Sequence, residues 1–323
     1  MSEPDWAFPS ELRPRPEDWD FDLERALGAL VLLRTEVPED AFTAQILGTE
    51  RVGNGIAIGD DGLILTIGYL VTEASAVWIT TAQGAVLAGH ALAYDQATGL
   101  GLVMPLGRLG APALARGSAA RAQVGDDVLI AGHGGRAHAL KAELFDKREF
   151  AGYWEYVLDE ALFASPAHPQ WGGTALIGRD GKLLGVGSLL VEEKHGEGSV
   201  QGNMFVPVDI LEPILEDLVK RGRARRAARP WLGMYTTEIG AKLVVAGLAA
   251  GGPADRAGIK VGDVVVAVGG ERPQGLADLF RRVWALGPAG AEVALTLARS
   301  GKRMDLVLAS VDRNDFLKKP QLH

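Results

Sequence analysis

The 323-residue chain contains no cysteine, which excludes disulfides, thiol nucleophiles and cysteine-ligated metals from its chemistry. A positive surplus is also missing: 33 Lys and Arg stand against 41 Asp and Glu, a net charge of -8, so no general affinity for nucleic acid is expected. Long hydrophobic runs are absent too. The one early apolar stretch, residues 26–33, falls well short of the roughly 20 residues that span a bilayer. The start, Met1-Ser2-Glu3-Pro4-Asp5-Trp6, lacks the basic segment that opens an export signal. These absences predict a cytoplasmic protein with no membrane insertion and no nucleic-acid partner. The histidines, His90, His133, His138, His168, His195 and His323, show no metal-ligand spacing, so neither metal nor cofactor is expected.

What the chain has in quantity is glycine, 42 residues, placed between short apolar segments. Strands are expected over residues 29–37, 45–58, 62–66, 76–81, 85–94, 100–105, 127–131, 140–145, 175–177, 183–191 and 201–206, and many short strands at this spacing indicate an all-β barrel or sandwich. Residues 1–25 form an acidic, proline-punctuated arm carrying Trp6, Phe8, Trp19 and Phe21. A helix is expected over residues 209–221, with Ile210, Ile214, Leu215 and Leu218 on one face, Asp209 at its start and Gly222 at its end. It runs into a basic stretch, Lys220, Arg221, Arg223, Arg225, Arg226 and Arg229, which reads as charge complementing a helix C-terminus and a solvated linker.

Several motifs resemble those of HtrA/Deg-type trypsin-like serine proteases. Gly53-Asn54-Gly55-Ile56-Ala57-Ile58 stands where that family has G-S-G-x-x-I, and Val124-Gly125-Asp126-Asp127-Val128 where it has V-G-D-x-V. Gly202-Asn203-Met204-Phe205-Val206-Pro207 answers to G-x-G-F-A-I-P. The resemblance implies a double six-stranded β-barrel. It places Tyr69, in Leu65-Thr66-Ile67-Gly68-Tyr69-Leu70-Val71, at the histidine position of L-T-x-x-H-V-V. Gly99 falls at the acid of D-x-x-T-D-L-A-V, and Asp95 keeps that motif's first position. Trp171, in Pro169-Gln170-Trp171-Gly172-Gly173-Thr174, falls at the serine of N-P-G-N-S-G-G-P-L.

The chemistry of that template needs a hydroxyl nucleophile, an imidazole base and a carboxylate that fixes the imidazole tautomer. Indole offers only a donor, and a phenol of pKa about 10 is a poor base at neutral pH. The family's oxyanion hole also uses the backbone N–H two residues before the nucleophile, where Pro169 has none. Loss of one such donor typically costs about 10²–10³ in rate. The expectation from these residues is therefore a pseudoprotease, not an enzyme.

The C-terminal part resembles an HtrA-type PDZ domain. Gly252-Pro253-Ala254-Asp255-Arg256-Ala257-Gly258-Ile259-Lys260-Val261-Gly262-Asp263-Val264 follows S-P-A-x-x-A-G-L-x-x-G-D-V, and Trp231-Leu232-Gly233-Met234 matches the loop whose backbone N–H groups receive a peptide's terminal carboxylate. Leu279, Phe280 and Val283 lie at helical spacing on the segment expected to wall the groove. The fold expected is thus mainly β: a trypsin-like double β-barrel followed by an α+β PDZ domain. The divisions expected are an arm (1–25), a protease-like domain (26–208), a helix and basic linker (209–229), a PDZ domain (230–312) and a tail (313–323).

Three functions follow as expectations. The first is an inactive HtrA-like scaffold or regulator binding protein C-termini or extended peptides through Trp231, Leu232, Gly233, Met234, Leu279, Phe280 and Val283. The second is a serine endopeptidase with a displaced site, built on Ser165 and His168. The third is a chaperone-like holdase. The resemblance further implies a homotrimer, helped by the aromatics of the arm.

Overall fold

A computed structural model describes residues 6–195 and 198–318. The segment Met1 to Asp5 and the last five residues, with His323, lie outside the described residues, and so does the side chain of His195. The chain divides into two compact units. The first comprises Met1–Arg148, Glu160–Ala224 and Lys318–His323; the second comprises Glu149–Asp159 and Arg225–Leu317.

The first unit contains two closed barrels. One is built from β1 (Leu30–Glu36), β2 (Glu50–Ala57), β3 (Ile64–Ile67), β4 (Ala76–Thr80), β5 (Val86–Asp95) and β6 (Leu100–Pro105), in the order β1-β2-β3-β6-β5-β4. The other uses β7 (Asp127–Ala131), β8 (Ala139–Gly152), β9 (Tyr156–Ser165), β10 (Ala175–Ile177), β11 (Leu183–His195) and β12 (Gly198–Pro207), in the order β10-β11-β12-β9-β8-β7. Closure pairs the backbone of every strand, and the apolar residues of each strand fill the interior. The expected mainly β fold is present.

Four local expectations need correction. Residues 45–47 belong to a helical turn, α1 (Ala44–Leu47), and not to a strand. The strand β9 was not expected, and β8 runs seven residues past its expected end. The helix expected over 209–221 is broken: Val208–Ile210 is a 3-10 turn and α2 covers only Leu215–Arg221. Pro213 disfavours helix at the residue before it. Asp209 caps no helix of its own; its carboxylate accepts from the Ser118 hydroxyl at 2.7 Å and the Ala119 N–H at 2.6 Å. The expected end is present, since Gly222 adopts φ 71° just after α2.

Two of the four aromatics of the arm, Phe8 and Trp19, are buried by the chain itself, and Trp6 and Phe21 are half-buried. Phe8 joins the buried cluster of the second barrel with Ile130, Leu140, Leu162 and Phe205. The Phe8 N–H donates to Ala137 O, and Trp6 packs on His138 with ring centroids 4.4 Å apart. Trp19 is also buried. Phe8 and Trp19 are therefore buried without a partner subunit. The basic stretch is likewise engaged locally: Lys220 pairs with Glu216, Arg221 with Asp217, and the Arg229 guanidinium lies 4.1 Å from the centre of the Trp284 ring.

The second unit is a five-stranded sheet in sequence order, β13 (Met234–Ile239), β14 (Lys242–Leu248), β15 (Val264–Val268), β16 (Glu292–Arg299) and β17 (Lys302–Ala309). It is joined by the short helix α3 (Pro253–Arg256) and by α4 (Leu276–Ala285), whose Leu276, Leu279, Phe280 and Val283 face the core. If the arm is held as described, Phe8→Ala should destabilise the first unit by about 3 kcal/mol, the usual scale for emptying a buried phenylalanine site. Urea unfolding checks this, and a change below about 0.5 kcal/mol would show the arm to be loosely attached.

Candidate functional site

The three positions singled out in the first unit come together. Tyr69 sits on the 3-10 turn Gly68–Leu70 that follows β3. Its hydroxyl donates to Ser188 O at 3.0 Å and lies beside the Trp171 indole. Burial of that hydroxyl pushes its pKa above the ordinary phenol value. Gly99 lies beside the same turn, its carbonyl accepting from Gly68 N–H at 2.7 Å. Asp95 is committed to its own turn, where its carboxylate accepts from the Thr98 N–H at 2.9 Å and the Thr98 hydroxyl at 2.8 Å.

The loop carrying Trp171 is pinned by a residue that the sequence reading passed over. Asn54, on β2, donates through Nδ2 to Gln170 O at 2.9 Å and Gly172 O at 3.2 Å, and its Oδ1 accepts from His133 N–H at 2.8 Å. Its backbone N–H adds a bond to Gly172 O at 2.7 Å. Gly173 follows with φ 76°, and a Cβ there would lie 1.9 Å from Asn54 O. Only glycine fits so close an approach.

Ser165 and His168 are not joined as a dyad. The Ser165 hydroxyl donates to Gln201 O at 2.9 Å. The His168 ring accepts from Gln170 N–H through Nδ1 at 3.1 Å, so Nε2 carries the proton and donates to His138 O at 3.1 Å. Its backbone is tied to Asn203 in both directions. Rings of Trp6 and Phe8 stand edge-on to it at 5.5 and 5.2 Å. Burial lowers its pKa to about 4. This imidazole is a neutral, buried brace of the loop. Among the described residues no group of three or more histidine and acidic side chains is arranged to hold a metal ion.

In the second unit the loop 231–234 precedes and enters β13. Gly233 adopts φ 67°, and a Cβ there would meet Ala249 Cβ at 2.9 Å. The N–H groups of Leu232 and Met234 converge on one point. Leu232, Met234, Leu279, Phe280 and Val283 are all buried in one apolar cluster, and Trp231 is buried as well. The convergent point is filled by the carboxylate of Glu155, which accepts from Leu232 N–H at 3.2 Å and Met234 N–H at 3.1 Å. Sequence reasoning missed Glu155, which stands 77 residues before its first partner.

Two closed six-stranded barrels and a PDZ-like sheet, in this order, define a protein with the architecture of the HtrA/DegP-type trypsin-like serine proteases with a PDZ domain. Residues 53–186 match the trypsin-like peptidase domain family and residues 244–299 the PDZ domain family. The chain is 27% identical over 275 residues to a probable periplasmic serine endoprotease DegP-like protein of Brucella suis biovar 1 (strain 1330), a match covering 79% of this chain and 51% of the relative. The protein of the same name from Pseudomonas putida (strain W619) is 25% identical over 80% of this chain and 55% of its own length. The chain thus spans about half the length of the curated relatives it matches. Among solved structures, the HtrA-type protease AlgW with decapeptide shares the fold with a TM-score of 0.54 at 18% identity, over 93% of this chain and 98% of that one. The serine endoprotease from Yersinia pestis does so with a TM-score of 0.52 at 19% identity, over 90% and 98%.

These relatives correct two expectations. They are named serine endoproteases, which overturns the conclusion, drawn from three substituted positions, that the chain is not an enzyme. They are also named periplasmic, which overturns the cytoplasmic expectation built on the first residues. Among the described residues no helix is long and apolar enough to cross a membrane.

The His168 brace has a pH signature. Its folded pKa of about 4 lies below the ordinary imidazole value of 6.5, so the unfolded chain binds a proton first as pH falls. The contribution is complete above pH 6.5 and is lost between 6.5 and about 4, amounting to roughly 3 kcal/mol. Hydrogen exchange of β7 amides across that range should show this loss, and His168→Gln should flatten it. A slope unchanged by the substitution would assign the acid sensitivity to other groups.

Proposed function

We propose that this protein handles polypeptides in the manner of HtrA/DegP-type proteins, capturing protein C-termini or extended peptides through its PDZ unit. The observation that carries this reading is the pair of converging N–H groups at Leu232 and Met234, which already hold a carboxylate. Strand addition beside β13 would supply backbone hydrogen bonds, and the apolar residues Leu279, Phe280 and Val283 would select the side chain at the peptide's end. The solved relative named above is described with a decapeptide, which supports a peptide as the ligand class. Trp231, Leu232, Gly233 and Met234 form the receiving loop in this proposal.

The second reading is endoproteolysis, the activity in the relatives' name. It is favoured by the closed double barrel and by the match to relatives that carry that name. Casein cleavage that follows the protein through a final sizing column and is lost in Trp171→Ala would establish it. Undigested casein after prolonged incubation with enzyme-scale amounts of protein would remove it and leave capture alone.

For capture, a peptide ending in an apolar residue should bind with a Kd on the order of micromolar, and its C-terminal amide at least tenfold more weakly. Gly233→Val, which forces a side chain onto left-handed backbone against Ala249, should abolish binding of the acid. Fluorescence polarisation measures both. Equal affinity for acid and amide would overturn the carboxylate-reading loop.

A further inference from the structure

The segment Glu149–Asp159 is drawn from the ends of β8 and β9, yet it belongs to the second compact unit. Its tip is placed as a peptide ligand would be. Thr236, on the edge strand β13, donates its N–H to Tyr153 O at 3.1 Å, a rung of strand addition. Two residues later the Glu155 carboxylate fills the receiving loop. Val157 enters the same buried cluster as Leu232, Met234, Leu279, Phe280 and Val283. Tyr153 meets Tyr235 edge-on, with centroids 6.1 Å apart. Arg281, on α4, grips both arms of the hairpin, pairing with Glu149 on one and with Asp159 at 2.6 Å on the other.

We propose that this hairpin is a built-in ligand of the PDZ groove: Glu155 stands in for a C-terminal carboxylate, and an incoming chain terminus binds by displacing it. This rests on the peptide-capture reading above and adds that the groove is self-occupied at rest.

The hold is strong enough to compete and weak enough to yield. The side chain is buried, and its oxygens take the N–H groups that an incoming carboxylate needs. Glu155 itself sits at φ 62°, left-handed backbone that is unfavourable for a residue with a side chain. Burial raises its pKa to about 7, against the pull of the Met234, Leu232 and Gly233 N–H groups and the charge of Arg313. Ionisation near neutral pH is therefore paid out of the contacts of the hairpin. The Arg281 pairs are partly exposed and add little. If the groove is free less than a tenth of the time, the apparent Kd for a peptide is raised at least tenfold, because apparent affinity scales with the competent fraction.

The test uses the full chain and two readouts. Hydrogen exchange at the Leu232 and Met234 amides should be slow in the wild type and at least tenfold faster in Glu155→Ala, with Glu155→Gln between them. In polarisation assays a fluorescent peptide ending in a free carboxylate should bind Glu155→Ala at least tenfold more tightly than wild type. Slow exchange in both proteins, or equal or weaker peptide affinity in Glu155→Ala with the β15 and β16 amides still protected, would overturn self-occupation. Faster exchange in Glu155→Ala without binding of any peptide would uphold self-occupation and overturn the capture reading instead.

Discussion

The geometry of the first unit turns on one buried amide. Asn54 is 1% exposed and spends each of its side-chain polar atoms on backbone from the other barrel: Gln170 O and Gly172 O on one side, His133 N–H on the other. Its own backbone carbonyl receives the Thr66 hydroxyl at 2.7 Å. A buried amide left without partners costs on the order of 1–3 kcal/mol, so the loop that carries Trp171 is held against β2 by more than shape. The meeting of Trp171 with Tyr69 follows from that attachment, because Tyr69 leaves the neighbouring strand β3 on a turn that rests against Gly99. Gly173 and Gly187 let the backbones close around the staple: a Cβ at Gly187 would lie 2.2 Å from Trp171 O.

Burial pushes the pKa of His168 and that of Glu155 in opposite directions. His168 has a lowered pKa and stays uncharged near neutrality, and Glu155 has a raised one that brings its ionisation close to neutral pH. Their linkages therefore oppose each other. The carboxyl of Glu155, with a folded pKa of about 7 against the ordinary glutamate value of 4.5, favours its docked position most fully below pH 4.5 and loses that advantage as pH rises toward 7. The imidazole does the reverse on the acid side. The two side chains thus favour their docked positions at different ends of the range between pH 4 and 7.

Much of the fold was legible because its signals are local. Strands β6, β7 and β10 were read with the bounds they have, being continuous apolar runs between glycines and acids. The glycine at 233 stood in a recognisable motif, and it adopts a positive φ. What was not legible depends on distant partners or on interruptions. The strand β9 carries Asp159 and Glu160 at its middle, which break the apolar run by which a strand is recognised. Pro213 cut a helix whose periodicity was otherwise sound. Asn54 stood in plain sight within a matched motif, but its partners lie 79 to 118 residues away, and no periodicity encodes them. Glu155 is hidden twice, at the end of an unread strand and across 77 residues from the loop it fills.

Both barrels of the first unit are closed, so neither offers a free strand edge, and the open sheet of the second unit ends in two edges of unlike character. The outer strand β17 displays Lys302, Arg303 and Asp305 to solvent, and charges on an edge discourage another strand from pairing there. The opposite edge begins Met234-Tyr235-Thr236-Thr237, with no charge along its first four residues. Left bare, such an edge would invite adhesion between copies of the chain. The Tyr153 rung that covers it is thus also a guard against aggregation, supplied by the molecule to itself.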